Sequence, residues 1–255
     1  MKSRSVAAFF YLASVVTITS GAVLPLPDFI KPCSRNDPKL NECAVKQGPV
    51  VIPKVKDGIR KYRIPKLEPL RVDQIKVDQD QSAAVGINLV AHDIDIHGVS
   101  QAQLKDMDIQ VDPPVFKMKF FFPRVELLAK YKISGKVLIL PIQGKGDANI
   151  TMVNLDLEFG FDAEWVKKEN GVQYLKMKDH YIKYDTTRNY IKLDNLFNGN
   201  KALGDRLNEF IDVNWREVTQ ELGPPFADAI ALVIRRIVSG ILEQVPRDNI
   251  FPEKA

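Results

Sequence analysis

The sequence predicts an α+β protein: one long, curved antiparallel β-sheet wrapped around a long C-terminal α-helix. Three observations predict it. Between Leu70 and Leu193, apolar and polar residues alternate through several unusually long runs. From Lys201 to Gln244 the apolar positions change to helical spacing and keep it. No low-complexity linker or internal repeat separates the two zones, so they form one domain. A long apolar-faced sheet and a long apolar-striped helix hide both faces by the sheet curling around the helix, which encloses an elongated interior.

The chain opens MKSRSVAAFFYLASVVTITSGA. Lys2 and Arg4 precede a short uncharged apolar run, and Ser20-Gly21-Ala22 offers small residues for cleavage. Residues 1–22 therefore read as a secretory signal peptide, and 23–255 as the mature domain. The apolar run is too short to span a bilayer, which takes about 20 apolar residues. The most apolar later segment, Phe226 to Leu242, is interrupted by Asp228, Arg235 and Arg236. A secreted, extracellular protein without stable membrane insertion is expected. Secretion permits disulfides, so Cys33 and Cys43, the two cysteines of the chain, are expected to pair. Closing so short a loop stabilises by about 3 kcal/mol.

Asp37 is a candidate N-cap with Pro38 at the first helical position, and Leu40, Cys43 and Ala44 follow at helical spacing. Gly48-Pro49 and Pro53 are expected to bend or break that helix. "IPKLEPL" then runs extended into the strand zone.

Alternation is carried by Ile87, Leu89, Ile94 and Ile96, then by Phe116, Met118, Phe120 and Phe122. It continues through Val125, Leu127, Ala129, Tyr131 and Ile133, and through Val153, Leu155, Leu157, Phe159 and Phe161. Asn170-Gly171 between two strand patterns signals a hairpin. The strands are consecutive, which implies an antiparallel meander with one apolar and one wet face.

The helical stripe runs through Leu203, Leu207, Phe210, Ile211, Val218 and Leu222, then Phe226, Ile230, Ile234, Ile237 and Ile241. One helix over this span measures about 65 Å. Gly223-Pro224-Pro225 is expected to kink it into a bent rod.

The charge balance of +4 falls to +2 without Lys2 and Arg4, and there is no basic run, so no nucleic-acid role is supported. His92 and His97, five apart on one strand, point to opposite faces and share no metal. "GKGDAN", residues 144–149, reads as a turn; it lacks the third glycine and following helix of a dinucleotide fingerprint. Nucleophile-elbow, zinc-protease and phosphate-loop patterns are missing from the chain. No enzyme, no metal and no cofactor is expected. Asn149-Ile150-Thr151 is an N-glycosylation acceptor sequence.

The stretch "LPDFIKPCSRNDPKLNECAVK", the block "FFPRVEL" (Phe121 to Leu127) with "YKISGKVLILPIQGKGDANIT", and above all "NLFNGNKALGDRLNEFIDVNW" (Asn195 to Trp215) resemble the takeout and juvenile hormone-binding family of insects. The motifs keep the family's order from about Leu24 to Phe251. The resemblance implies a tubular lipid-binding fold whose sheet and C-terminal helix enclose a hydrophobic tunnel. It implies a carrier of a small hydrophobic ligand such as a fatty acid, a terpenoid or a juvenile hormone-like molecule. Dedicated hormone carriers of the family have a second disulfide; with two cysteines this chain resembles the takeout branch. The alternative is a signalling protein that meets an unidentified cell-surface receptor through its outer surface, in feeding, circadian or chemosensory physiology, with lipid as filler. The strand-face residues expected to line the tunnel are Phe116, Met118, Phe120, Leu127, Tyr131, Ile133, Val153, Leu155 and Phe159, with Phe210 and Trp215 from the helical zone. Tyr131 and Trp215 bring polar tips suited to a ligand head group.

Overall fold

A computed structural model describes residues 23–78, 86–137, 140–169 and 171–254. The signal peptide expected over 1–22 lies outside them, as does Asn170. The described chain forms α1 (Leu40–Val55), six strands in one antiparallel sheet, and a helical C-terminal part. The strands are β1 (Leu70–Asp78), β2 (Gly86–His97), β3 (Gln103–Val111), β4 (Pro114–Val137), β5 (Leu140–Lys167) and β6 (Gln173–Leu193). The order is β1-β2-β4-β5-β6, and β3 pairs with the first part of β4 while β2 pairs with the rest. The β5–β6 hairpin closes with Lys167 opposite Gln173 and Gly171 at φ 76°, as the turn signal requires. Helices α2 (Lys201–Val213), α3 (Trp215–Leu242) and α4 (Arg247–Ile250) follow.

A straight strand as long as β5 would reach roughly 90 Å, more than twice the roughly 42 Å of α3. The strands therefore curl, and they do so along rows where alternation breaks. Phe116 to Phe122 point inward at even numbers on β4, and Val125 to Ile133 at odd ones. The switch falls at Pro123, which sits in register with Asn154 of β5 and Thr187 of β6. Asn154 takes φ 50°, the left-handed conformation that Asn tolerates better than most residues. The Asn154 amide donates to the Thr187 hydroxyl, and Thr186 and Thr187 both donate to the Val153 carbonyl. Asp93 of β2, at φ 52° and aligned with Asp73 of β1, makes a second such row.

These rows correct two expectations. Val153 belongs to the outer face, because the left-handed Asn154 reverses the parity and Met152 takes the inward position. His92 and His97 share the outer face, because the bulge at Asp93 inserts one residue between them. His92 Nδ1 meets its neighbour Asp93 at 2.8 Å, and His97 approaches Glu68 at 3.6 Å. Among the described residues no cluster of three His, Cys, Asp or Glu side chains could hold a metal ion.

"GKGDAN" is not a turn either; it lies inside β5, paired to Leu128–Ile133 of β4. Gly144 and Gly146 serve another purpose. A Cβ on Gly144 would sit 3.0 Å from the Leu196 Cα, and one on Gly146 would overlap the Asp194 carbonyl. The absent side chains let the segment after β6 cross the strand closely.

The helices also depart from expectation. α1 continues through Gly48, Pro49 and Pro53. A Cβ at Gly48 would stand 2.8 Å from Leu104 Cβ, so the glycine brings α1 down onto β3. The Asp37 carboxylate caps the turn leading into α1 by accepting from Lys39 N at 2.8 Å. The C-terminal helical zone is interrupted at Asn214, a position the sequence reading did not single out. Asn214 leaves helical geometry at ψ 28°, and its amide donates back to the Phe210 carbonyl at 2.8 Å. α3 runs unbroken through Pro224 and Pro225; the hydrogen bonds lost there are local.

The disulfide joins Cys33 to Cys43. Arg35, inside the loop it closes, bonds Asp248 Oδ1 (2.7 Å), Glu253 Oε1 (2.8 Å) and the Phe251 carbonyl (2.7 Å). The N-terminal loop, α1 and the C-terminal tail are thus held together at one end of the fold.

Candidate binding cavity

The space between the sheet and α3 is divided. At the end near α4, large side chains fill it. Phe116 stacks on Phe161 with centroids 4.8 Å apart, and Phe159 and Phe251 pack against the pair. Phe159 is fully buried, and Met118 closes the same layer. Farther along, the inward residues become aliphatic and a cavity of about 240 Å³ opens.

Its wall takes Ile75 from β1, Ile87, Leu89 and Ile96 from β2, and Val99 from the corner that follows. Phe122, Val125, Leu127 and Ile133 come from β4, and Ile142, Ile150, Met152, Leu155 and Leu157 from β5. β6 adds Ile182, Tyr184, Asn189, Ile191 and Leu193. α2 adds Ile211, and α3 supplies Val218 through Ile234. Val218 to Ile234 spans about 24 Å along the helix axis. None of these residues is charged.

Three side chains give the wall its polar character. Asn189 is 5% exposed, and its Nδ2 donates to Thr219 Oγ1 at 2.9 Å. The Tyr184 hydroxyl lies 3.3 Å from the Thr219 carbonyl, and burial pushes its pKa up. Gly223 makes room for that hydroxyl, which a Cβ there would overlap.

Of the residues the sequence nominated, Leu127, Ile133 and Leu155 line this cavity. Phe116, Met118 and Phe159 belong to the filled layer, and Phe120 packs 6.3 Å from Phe122 at its border. Tyr131 is buried beneath the wall, with its hydroxyl donating to the Asp194 carbonyl at 2.8 Å. Its polar tip therefore holds the chain after β6. Burial, with Asp194 nearby, raises its pKa to about 12. Phe210 is half-buried against the core without reaching the cavity. Trp215 does not line the cavity; the guanidinium groups of Arg188 and Arg216 lie 5.4 and 4.6 Å from its ring centroid. The aromatic preference behind these nominations selects residues that fill space; the cavity exists where branched aliphatics leave it unfilled. The wall residues of β6 and Asn189 were not nominated. The apolar spacing of Ile182 and Tyr184, then Asn189, Ile191 and Leu193, carried a signal for them.

One end of the cavity is pinned by Glu68. Its carboxylate accepts from Gly98 N (3.0 Å), Ser100 N (3.2 Å) and Ser100 Oγ (2.9 Å), fixing the corner that bears Val99. Burial alone would raise its pKa, but the bonds from Gly98 and Ser100 hold it below the usual carboxylate range. Asn149 is half-buried on the outer face of β5, with its amide bonded to Glu126 Oε1 at 3.0 Å. Among the described residues no helix is long and apolar enough to cross a membrane.

Known proteins share this architecture. The solved structure of Takeout 1 from Epiphyas postvittana superposes with a TM-score of 0.78 at 23% identity, covering 87% of this chain and 99% of that one. The circadian clock-controlled protein daywake of Drosophila melanogaster is 26% identical over 250 residues, 95% of either chain. Daywake of Drosophila yakuba is 25% identical over 229 residues, 88% of either chain. The model of the haemolymph juvenile hormone binding protein family matches residues 10–252, and the chain belongs to that family.

Proposed function

We propose that this protein is a secreted carrier that sequesters a small hydrophobic molecule in the cavity between its sheet and α3. The observation that carries the reading is the continuous wall of Ile, Leu, Val and Phe around about 240 Å³, without a charged member. Such a site binds by removing apolar surface from water, at roughly 25 cal/mol per Å², and performs no chemistry on its ligand. The haemolymph hormone-binding description of the family supports both the ligand class and export. The leader over residues 1–22 supports export independently. Asn149, outward-facing on β5, is the proposed glycan acceptor.

The test is organic extraction of the secreted protein followed by mass spectrometry. A reproducible, stoichiometric lipid is expected. A protein that leaves cells empty and binds neither terpenoids nor fatty acids afterwards would overturn the proposal. A full-length leader still attached to the secreted form would refute cleavage, and an unchanged mass after glycosidase treatment would refute the glycan.

A further inference from the structure

Among the described residues, the buried side-chain polar atoms without a hydrogen-bond partner are Asn189 Oδ1 and Arg247 Nε. Asn189 borders the cavity, and Arg247 does not. An orphaned carbonyl oxygen in so apolar a place loses the hydrogen bonds it had in water, and natural proteins rarely leave one so. The surroundings say what it lacks. The Asn189 Nδ2 already donates to Thr219, so the vacant function is an acceptor. No backbone or side-chain donor reaches it. Asn189 is itself a wall residue of the cavity, and χ2 of Asn is a torsion with broad minima.

We infer that the ligand of this cavity is an aliphatic or terpenoid alcohol, whose hydroxyl donates to Asn189 Oδ1 while its apolar chain lies along α3. The inference rests on the carrier reading and sharpens it. Two related classes fit less well. Esters and ethers have no donor and leave the oxygen orphaned. Carboxylates have no donor when ionised, and no wall residue is a cation that could offset their desolvation.

The experiment is calorimetric titration of the solvent-extracted, full mature chain with dodecan-1-ol, methyl dodecyl ether and dodecanoate at neutral pH. The alcohol is expected to bind about tenfold more tightly than the ether, the size of one net hydrogen bond plus relief of the orphaned acceptor. Dodecanoate is expected to bind more weakly than the alcohol. Asn189→Leu removes the acceptor while keeping the volume, and is expected to bring alcohol and ether to equal affinity. The alcohol-to-ether ratio of the unmodified protein tests the inference even if that variant does not fold. Equal binding of alcohol and ether, tighter binding of dodecanoate, or an alcohol preference that survives Asn189→Leu would overturn it while leaving the carrier reading intact. Binding of none of the three would overturn both.

Discussion

Ile230 offers a way to decide whether the space beside α3 is a binding cavity or part of a packed core. It lines the cavity from the middle of the helix. Ile230→Phe adds three carbons at a position where isoleucine and phenylalanine have similar helix propensity. A long helical side chain leans back over the preceding turn, which here is Phe226 and Ala227, both on the wall. If the added carbons enter empty space, burial contributes up to about 0.8 kcal/mol each, or about 2.4 kcal/mol. For a domain of this size that raises Tm by about 5–10 °C. The same carbons exclude an equal length of ligand chain, so affinity falls about fiftyfold. Stability of the ligand-free protein and affinity therefore move in opposite directions. Thermal unfolding followed by circular dichroism, with titration of dodecan-1-ol, measures both. A packed core would instead be overfilled, costing about 1–3 kcal/mol. A lower Tm in the extracted protein with unchanged affinity would refute the reasoning.

Tyr131 supplies an alkaline test. Its pKa of about 12 in the fold lies above the ordinary tyrosine value of 10.0, so its stabilisation is complete below pH 10 and lost as pH rises toward 12. The loss is on the order of 2–3 kcal/mol. Tyr131→Phe should flatten that slope in denaturant melts at unchanged ligand affinity; an unaltered slope would assign it to other groups. Glu68 works in the acid direction. Its lowered pKa gives stability that is present above the ordinary glutamate value of 4.5 and is lost as pH falls through the folded value. Glu68→Gln should weaken the acid dependence of unfolding and raise amide exchange at Gly98 and Ser100; unchanged exchange there would contradict the pinning role. Reduction of Cys33–Cys43 should expose α1 and the C-terminal tail to proteolysis, at a loss of about 3 kcal/mol, while the β4–β5–β6 part stays folded. Loss of all cooperative structure would show that the staple supports the whole fold.

Much of this molecule was legible in its sequence, for identifiable reasons. The side-chain period separates strand from helix over long runs, so the sheet zone from Leu70 to Leu193 and the helical zone after it could be placed. Cysteine count and the expected export of the chain pointed to the Cys33–Cys43 pair. Proline does not end a helix at either of two places. Pro49 and Pro53 sit inside α1, and Pro224 and Pro225 inside α3, because packing against the sheet outweighs a few missing hydrogen bonds. Asn214, a residue with no strong breaking signal, ends α2 instead.

By itself the sequence determined which residues are apolar, how they alternate, and hence that a long sheet must curl around a long helix. Tertiary structure decided which apolar residues face empty space. Parity along β5 depends on a single left-handed residue, Asn154, held by Thr187 of a neighbouring strand. Whether an inward side chain meets another or meets a void depends on the summed volumes of five strands and a helix. Phe116, Phe159 and Phe161 close one end because three rings meet there, and Leu127, Ile133 and Leu155 border a cavity because nothing large stands opposite them. No local pattern encodes that difference, because it is a property of what lies across the core.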